Sequence, residues 1–503
     1  VKPTSWNLPL PDWAAIDAIA APGLNAGHRV VADSRLVQPG DVFLAYRGEY
    51  ADGRDHIAAA IAKGAGCVLW EAEDYAWPAE HAALPNLAVP QLRAQAGIVA
   101  GHLLGDPSRA MHCVGVTGTN GKTSCAHWLA QAWGLLGHKA ALVGTLGYGF
   151  LDDLAEASHT TPDAVRLQNL VAGYRAAGAS HLAMEVSSHG LDQARAHGMA
   201  FHSAIFTNLT RDHLDYHGSM KAYGASKRKL FEWEGLQAAL INADDGFGAE
   251  LLRTLPDGLA LGYGLDAGEL RAERVETGLD GLRLSIVSPW GRAELVSPLI
   301  GRFNAYNLLA CLGVLVRGGV PLDDAVAVLG RIESAKGRMQ RLGGGVKPLV
   351  VVDYAHTPDA LEKALATLRE VMPSRRRLYC VFGCGGDRDR GKRPVMGRIA
   401  CELADTVIVT SDNPRTEDPK LIIRDILDGV DGADAEIPQR GDFSVQSDRA
   451  AAIRAAIELA GPGDVVLIAG KGHEEYQDAN GVKAPFSDEQ QALAALAAWK
   501  PMK

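Results

Sequence analysis

The feature that most restricts how this chain folds is a strand–loop–helix signature at residues 111–136. An apolar run (Cys113, Val114, Val116) leads into Thr117-Gly118-Thr119-Asn120-Gly121-Lys122-Thr123-Ser124, and a helical pattern follows. Glycines let consecutive backbone N–H groups turn toward an anion, and the helix adds its positive N-terminal end. Lys122 is placed to reach terminal phosphates and Thr123 to hold Mg²⁺. The spacing is shorter than Gly-x4-Gly-Lys-Thr/Ser. Val116 stands five residues before Gly121, and the nearest upstream glycine is Gly118.

A chain of 503 residues is too long for one core, which points to about two to four domains. With 47% hydrophobic and 22% charged residues the composition is globular. A formal charge of −10 argues against nucleic acid as a partner, because binding a phosphate backbone needs a basic face. The seven cysteines form no Cys-x2-Cys pair, and several lie in apolar runs. They read as reduced, buried thiols of a cytoplasmic protein, and the closest pair, Cys380 and Cys384, is poorly spaced for zinc. Val1-Lys2-Pro3-Thr4-Ser5-Trp6 carries no basic segment followed by an apolar core, and no run approaches the ~18 apolar residues of a membrane span. No membrane insertion is expected.

In chain order, residues 1–109 read as a small α/β domain. Val30-Val31-Ala32-Asp33-Ser34-Arg35 and Val42-Phe43-Leu44-Ala45 read as short strands around a turn, followed by a helix near 55–63 and a strand at 67–70. Ser34 and Arg35 could offer a hydroxyl and a cation to a small anion, or serve as ordinary turn residues. Gly105-Asp106-Pro107-Ser108 reads as a linker. Residues 110–335 read as a doubly wound nucleotide-binding domain with a parallel sheet, its strands at 140–145, 181–185, 204–207 and 238–241 and a helix at 163–175. An antiparallel appendage is expected at 270–299. Residues 336–503 repeat the α/β theme without a phosphate loop. Apolar runs at 349–352, 378–382, 406–409 and 465–469 each end in a polar motif, which in an open parallel sheet converge on one crevice.

The loop alone is compatible with phosphoryl transfer, hydrolysis or a switch. Glu185 and His213 end neighbouring strands on the loop side and are candidates for a metal shell, or else a structural carboxylate and a helix cap. In the C-terminal crevice, Arg388, Asn413 and Arg415 can grip a carboxylate, and Asp412 and Glu474 an ammonium. The charged run at 386–393 is read as part of that site rather than as a solvated loop. A nucleotide site followed by a zwitterion site suggests an ATP-driven ligase, in which a carboxylate is phosphorylated and an amine displaces the phosphate. By itself, Lys227 reads as a solvated helix lysine.

These motifs resemble the Mur ligase family across all three domains. The resemblance rests on TGTNGKTS at 117–124, HTTPD at 159–163, EVSSHGLDQAR at 185–195, NLTRDHLDYHGSM at 208–220, DYAHTPDAL at 353–361, GCGGDRDRGKRPVMG at 383–397, DNPRTEDP at 412–419 and GKGHEEYQ at 470–477. The shortened loop is the family's own form. The resemblance implies a three-domain α/β fold: a small N-terminal α/β domain, a central P-loop doubly wound parallel sheet, and a C-terminal Rossmann-like α/β domain. It implies a monomeric peptidoglycan-precursor enzyme that uses ATP and Mg²⁺. Such an enzyme adds meso-2,6-diaminopimelate to the D-glutamyl γ-carboxylate of UDP-N-acetylmuramoyl-L-alanyl-D-glutamate through an acyl phosphate, with domain closure during turnover.

By the same resemblance, Gly118, Thr119, Asn120, Gly121, Lys122, Thr123, Ser124, Asn304, Arg338 and His356 contact ATP. The Ser34 region takes the uridine nucleotide, and Thr160, Thr161, Ser187, Gln193 and Arg195 take the muramoyl dipeptide. Arg388, Asp412, Asn413, Pro414, Arg415, Gly470 and Glu474 form the diaminopimelate site. Lys227 matches a lysine carbamylated by CO₂, which turns a cation into an anion able to hold Mg²⁺ beside Thr123, Glu185 and His213. DNPR at 412–415 looks like the diaminopimelate version of its motif. The alternatives are a lysine-adding relative or a folylpolyglutamate synthetase-like ligase, and more remotely a P-loop kinase or regulatory ATPase. The last leaves the C-terminal motifs without a purpose.

Overall fold

A computed structural model describes residues 8–9, 11–24, 29–49, 51–431 and 442–501. Residues 1–6, read above for a leader, lie outside them. The chain divides into two compact units. One holds Val1–Ala272, Val287–Ala293 and Tyr306–Val328, and the other Glu273–Ile286, Glu294–Ala305 and Leu329–Lys503.

The first unit contains two sheets. The smaller is four parallel strands in sequence order, Val30–Val31, Val42–Ala45, Cys67–Glu71 and Asn86–Val89. Strands 30–31 and 42–45 are therefore parallel, not a pair folded about a turn. The ten residues between them include a single 3-10 turn, Ser34–Leu36, that lets the chain cross over before the next strand. Side chains alternate between two cores: Val42, Leu44 and Leu69 pack with Val99 of helix Leu92–Leu103 on one face, and Phe43, Val68 and Trp70 with Ile57 on the other. The expected linker at 105–108 runs into a further 3-10 turn, Pro107–Ala110.

The larger sheet of this unit is doubly wound. Its parallel strands run Ala260–Gly264, Ala238–Asn242, Ser203–Phe206, His112–Thr117, His181–Glu185, Ala140–Gly144, and an antiparallel edge of Gly147–Phe150 and Asp153–Ala155 completes it. The middle strands are buried on both faces and read as unbroken apolar runs, as parallel strands covered by helices must. The chain moves to opposite sides of His112–Thr117 after Glu185, which places a crevice at that strand's carboxyl end. The alternating stretch beyond residue 270 forms strands Leu270–Gly278, Gly281–Ser288 and Gly291–Ser297. They are successive neighbours joined by two-residue turns, a connection only antiparallel strands allow.

The second unit carries a six-stranded sheet in the order Gln340–Gly343, Leu349–Asp353, Val465–Ala469, Leu378–Phe382, Thr406–Val409, Asp442–Val445, parallel except for the first. Leu349 and Val351 face one core with helix Pro358–Val371, and Val350 and Val352 face the other with helix Arg449–Leu459. The three large sheets, each with its own core, bear out the three-domain α/β class, and strands Tyr476–Ala479 and Val482–Pro485 form a separate antiparallel pair. All seven cysteines are buried free thiols. Among the described residues no helix is long and apolar enough to cross a membrane.

Candidate active site

The phosphate loop leaves the central strand at its carboxyl end, and its shape depends on two glycines. Gly118 has φ +149° and Gly121 φ +87°. A Cβ on Gly118 would lie 1.8 Å from Thr207 Oγ1, and one on Gly121 2.5 Å from Asn307 Oδ1. Only glycine tolerates both the backbone and the proximity. The end of the next strand fastens the loop: Thr119 N–H donates to Asn208 O at 2.8 Å, and Asn120 N–H to Asn208 Oδ1 at 3.0 Å. Helix Lys122–Leu135 begins with no side-chain cap at Gly121, and Ser124 lies in its first turn. An uncapped helix start beside a glycine loop is a cradle for an anion. Lys122 curls back over it, its Nζ donating to Gly118 O at 2.9 Å and Thr119 O at 2.8 Å.

Glu185 lies beneath the loop and is 1% exposed. It accepts from Thr123 Oγ1 at 2.9 Å, Thr145 N–H at 2.7 Å and Thr145 Oγ1 at 3.3 Å. His213 adopts a left-handed backbone with φ +52°, and its ring lies 4.9 Å from that of His189 and 3.5 Å, nitrogen to oxygen, from Asp212. Among the described residues no group of three or more His, Cys, Asp or Glu side chains is arranged to hold a metal by itself.

Lys227 is not a solvated lysine. It is 1% exposed on helix Met220–Arg228, donates to Gly118 O at 2.8 Å and lies 4.3 Å from the centre of the Tyr223 ring. Burial pushes its ammonium well below the ordinary lysine range, the nearby Lys122 adds to this, and Asp212 opposes it. Tyr223 also reaches the loop, with its hydroxyl 3.2 Å from Thr119 Oγ1.

The residues expected to bind the muramoyl dipeptide are gathered on one side of this loop's sheet. Thr160 Oγ1 lies 3.1 Å from Thr145 Oγ1. Thr161 donates to Glu185 O at 3.0 Å and accepts from Ser187 N–H at 3.0 Å, while Ser187 caps the short helix Ser188–Asp192. Arg195 donates to Thr161 O at 3.0 Å and Gln193 Oε1 at 2.9 Å, and Gln193 reaches Glu49 Oε2 at 2.9 Å. A cavity of ≈ 580 Å³ opens here, lined by Glu71, Glu73, Arg93, Gln193 and Tyr216 among others. Ser34 stands in the 3-10 turn capped by Asp33. Asp33 pairs with Arg35 at 2.7 Å, so the cation expected to face an anion is already matched.

In the second unit, Asn304 is buried and donates to Ile300 O at 2.7 Å. Arg338 lies 5.0 Å from the Tyr354 ring, and its buried Nε has no hydrogen-bond partner among the described residues. His356 is exposed and holds its Nδ1 2.9 Å from Tyr354 O.

The four polar strand ends of this unit do converge, and their arrangement corrects two expectations. Lys471, fully buried, reaches Asn413 Oδ1 at 2.8 Å, Glu474 Oε2 at 3.2 Å and Asp412 Oδ1 at 3.3 Å. Asp412 and Glu474 therefore already hold an ammonium, one supplied by the chain. Asn413 is equally committed, donating to Glu474 Oε2 at 2.7 Å. Part of the run 386–393 is tied into the fold rather than left to face a ligand. Arg393 is fully buried and bonds Glu417 at 2.8 Å and Asp425 at 2.7 Å, and Arg390 shares Glu417. Arg388 is exposed, and Arg415, with φ +48°, donates to Gly386 O at 2.7 Å. Neither forms an ion pair among the described residues. A Cβ on Gly385 would lie 3.0 Å from Arg415 Nη1 and 3.9 Å from Arg388 Cγ, so both arginines flank this glycine. Pro414 is buried and its carbonyl would lie 1.9 Å from a Cβ on Gly386. Gly470 takes φ +117°, which turns the chain toward Asp412.

Sequence reasoning passed over Lys471, Tyr223, Thr207 and Asn307. Lys471 carried a signal, since it stands between two glycines directly after an apolar strand. The others contribute only through contacts distant in sequence.

Fold and site together define a phosphate-loop α/β protein with a second cluster of charged and polar side chains at the strand ends of a separate sheet. Three family profiles match it: "Mur ligase family, catalytic domain" at residues 27–100, "Mur ligase middle domain" at 116–315 and "Mur ligase, glutamate ligase domain" at 337–472. The chain is 59% identical over 495 residues to the UDP-N-acetylmuramoyl-L-alanyl-D-glutamate–2,6-diaminopimelate ligase of Chromobacterium violaceum, covering 97% of this chain and 98% of the relative. It is 52% identical over 469 residues to the enzyme of the same name from Neisseria meningitidis serogroup A, covering 92% and 93%. A solved structure of a ligase with this name superposes with a TM-score of 0.70 at 37% identity, covering 94% of this chain and 95% of the other. The chain belongs to the Mur ligase family.

Proposed function

We propose that this chain is an ATP-dependent amide ligase of peptidoglycan precursor synthesis. It joins meso-2,6-diaminopimelate to the D-glutamyl γ-carboxylate of UDP-N-acetylmuramoyl-L-alanyl-D-glutamate. Its work divides among domains at 1–109, 110–335 and 336–503. The observation that carries this reading is the 59% identity to a relative of that name along nearly the whole chain. The site geometry supports it in detail.

The uncapped helix start and the loop of Gly118 to Ser124 receive the triphosphate of ATP, and Lys122 swings from the loop carbonyls to its terminal phosphate. The γ-carboxylate attacks the γ-phosphorus, ADP leaves, and an acyl phosphate results. The diaminopimelate amine then attacks the acyl carbon and phosphate departs. Arg195, Gln193, Thr161 and Ser187 orient the dipeptide so that attack is intramolecular in effect. Asn304, Arg338 and His356 are assigned to ATP by the family resemblance alone. Ser34 contributes to the uridine end, and Arg388, Asp412, Asn413, Pro414, Arg415, Gly470 and Glu474 to the amino-acid end.

The side chains present suit Mg²⁺, which takes one or two carboxylates and completes its shell with phosphate and water oxygens. Thr123, Glu185, His213 and Lys227 as its carbamate would hold it, and when bound it offsets phosphate charge. Lys227 is suited to the modification because burial disfavours its ammonium form: the neutral amine adds to CO₂, the C–N bond forms and a proton is released to solvent. A test is Lys227→Ala, which should lose turnover that added short-chain carboxylate partly restores. In parallel, the native chain under ¹³CO₂ should show a carbamate resonance that the variant lacks. A fully active variant without that resonance difference removes Lys227 from the mechanism.

A further inference from the structure

The amino-acid site holds more built-in charge than its ligand-facing residues suggest. Its acidic members, Asp412 and Glu474, are both bonded to the ammonium of Lys471, a side chain with no solvent exposure. A fully buried lysine is rare and is kept only where its partners surround it. Here the partners are two carboxylates and the Asn413 amide, and Asn413 is in turn tied to Glu474 and to Asp478 N–H at 3.0 Å. Each carboxylate keeps one oxygen free of Lys471, enough to orient an α-ammonium by hydrogen bonding. Lys471 offsets one of their two negative charges. The cations left over are Arg388 and Arg415, flanking Gly385. Asp387, the carboxylate beside them, accepts from Thr416 Oγ1 at 2.8 Å and keeps its charge, which Arg415 feels.

We infer that Lys471 is a specificity-determining positioning residue, an internal ammonium that offsets one of the two charges in the acidic half of the site so that Arg388 and Arg415 select an amino acid bearing a second carboxylate. This rests on the amino-acid site proposed above. Lysine and diaminopimelate share an α-amino-acid end and differ at the far end, where diaminopimelate carries a carboxylate. Without Lys471 the unmatched carboxylates would attract the ε-ammonium of lysine. With it, Lys471, Arg388 and Arg415 balance Asp412, Glu474 and Asp387, so a second ammonium finds no unmatched carboxylate, and discrimination comes from denying the wrong substrate a partner as well as from holding the right one.

The test measures kcat/KM and equilibrium binding for meso-diaminopimelate and L-lysine with the native chain, Lys471→Met and Lys471→Arg. In Lys471→Met the preference for diaminopimelate over lysine should fall at least tenfold. Most of that change should be a rise in KM for diaminopimelate, with the KM for lysine unchanged or lower. Lys471→Arg, which retains the charge, should keep more of the preference. Equal losses for both amino acids would show that Lys471 only supports the fold, and would overturn the inference. Should Lys471→Met fail to fold, competition on the native chain decides: pimelate, a dicarboxylate without ammonium groups, should displace diaminopimelate better than cadaverine, a diamine. The reverse order refutes the proposed charge balance. A native chain that releases no ADP in response to diaminopimelate would instead defeat the functional reading on which this rests.

Discussion

Lys227→Met separates a buried neutral amine from a charged one by its effect on stability. The native side chain is 1% exposed and donates one hydrogen bond of 2.8 Å to Gly118 O. Losing that bond costs about 1 kcal/mol at any pH, and methionine fills nearly the same volume. The protonation contribution behaves differently. Burial lowers the folded-state pKa of Lys227 well below that of the unfolded chain, which is about 10.4. Between the two values the unfolded state binds the extra proton, so native stability rises with pH by up to about 1.4 kcal/mol per pH unit. Methionine binds no proton and abolishes that slope. Relative to the native chain, Lys227→Met should thus lose ground as pH rises from the lowered folded-state value toward the unfolded one. The assay is urea unfolding of the transition containing this helix, at intervals from pH 7 to 9 in CO₂-depleted buffer. A stability difference independent of pH over that range would refute the neutral-amine account.

Gly118→Ala forces a side chain to within 1.8 Å of Thr207 Oγ1 and should raise the KM for ATP at least tenfold while the melting temperature falls only modestly, read by kinetics and calorimetry. Arg449 and Asp488 are both fully buried and paired at 2.7 Å, so Arg449→Met should destabilise the C-terminal unit by about 3–5 kcal/mol, and Arg449→Met with Asp488→Leu by clearly less, measured by chemical denaturation. Arg393 above all, with the Asp387 amide, lowers the Glu417 carboxyl to about 2. The stability this contributes is present above the ordinary carboxyl pKa and is lost as pH falls through about 2, so the native chain's advantage over Glu417→Gln should hold from pH 7 to 5 and shrink between pH 4 and 2.

What the sequence made legible follows from where the information resides. Strands His181–Glu185, Leu378–Phe382 and Val465–Ala469 fall where apolar runs placed them, because strands buried on both faces write themselves as such runs. The phosphate loop was legible because its glycines and lysine are contiguous. Pairing direction was not: residues 30–45 suit a folded-back pair and a parallel pair equally, and the choice is made by strand Cys67–Glu71 and the helices that cover the sheet. The burial of Lys227 depends on Tyr223, one helical turn away, and on Gly118, over a hundred residues distant, so nothing near it in the chain marks it. The acidic pair of the C-terminal site was found, but its occupant was not, since the three oxygens around Lys471 come from two separate strand ends.

The most direct measurement is ADP release with UDP-N-acetylmuramoyl-L-alanyl-D-glutamate, ATP and Mg²⁺, comparing meso-diaminopimelate with L-lysine at matched concentrations. The account expects release that depends on both the muramoyl dipeptide and diaminopimelate, with lysine at least tenfold slower. Equal rates with the two amino acids, or release that ignores the dipeptide, would contradict it.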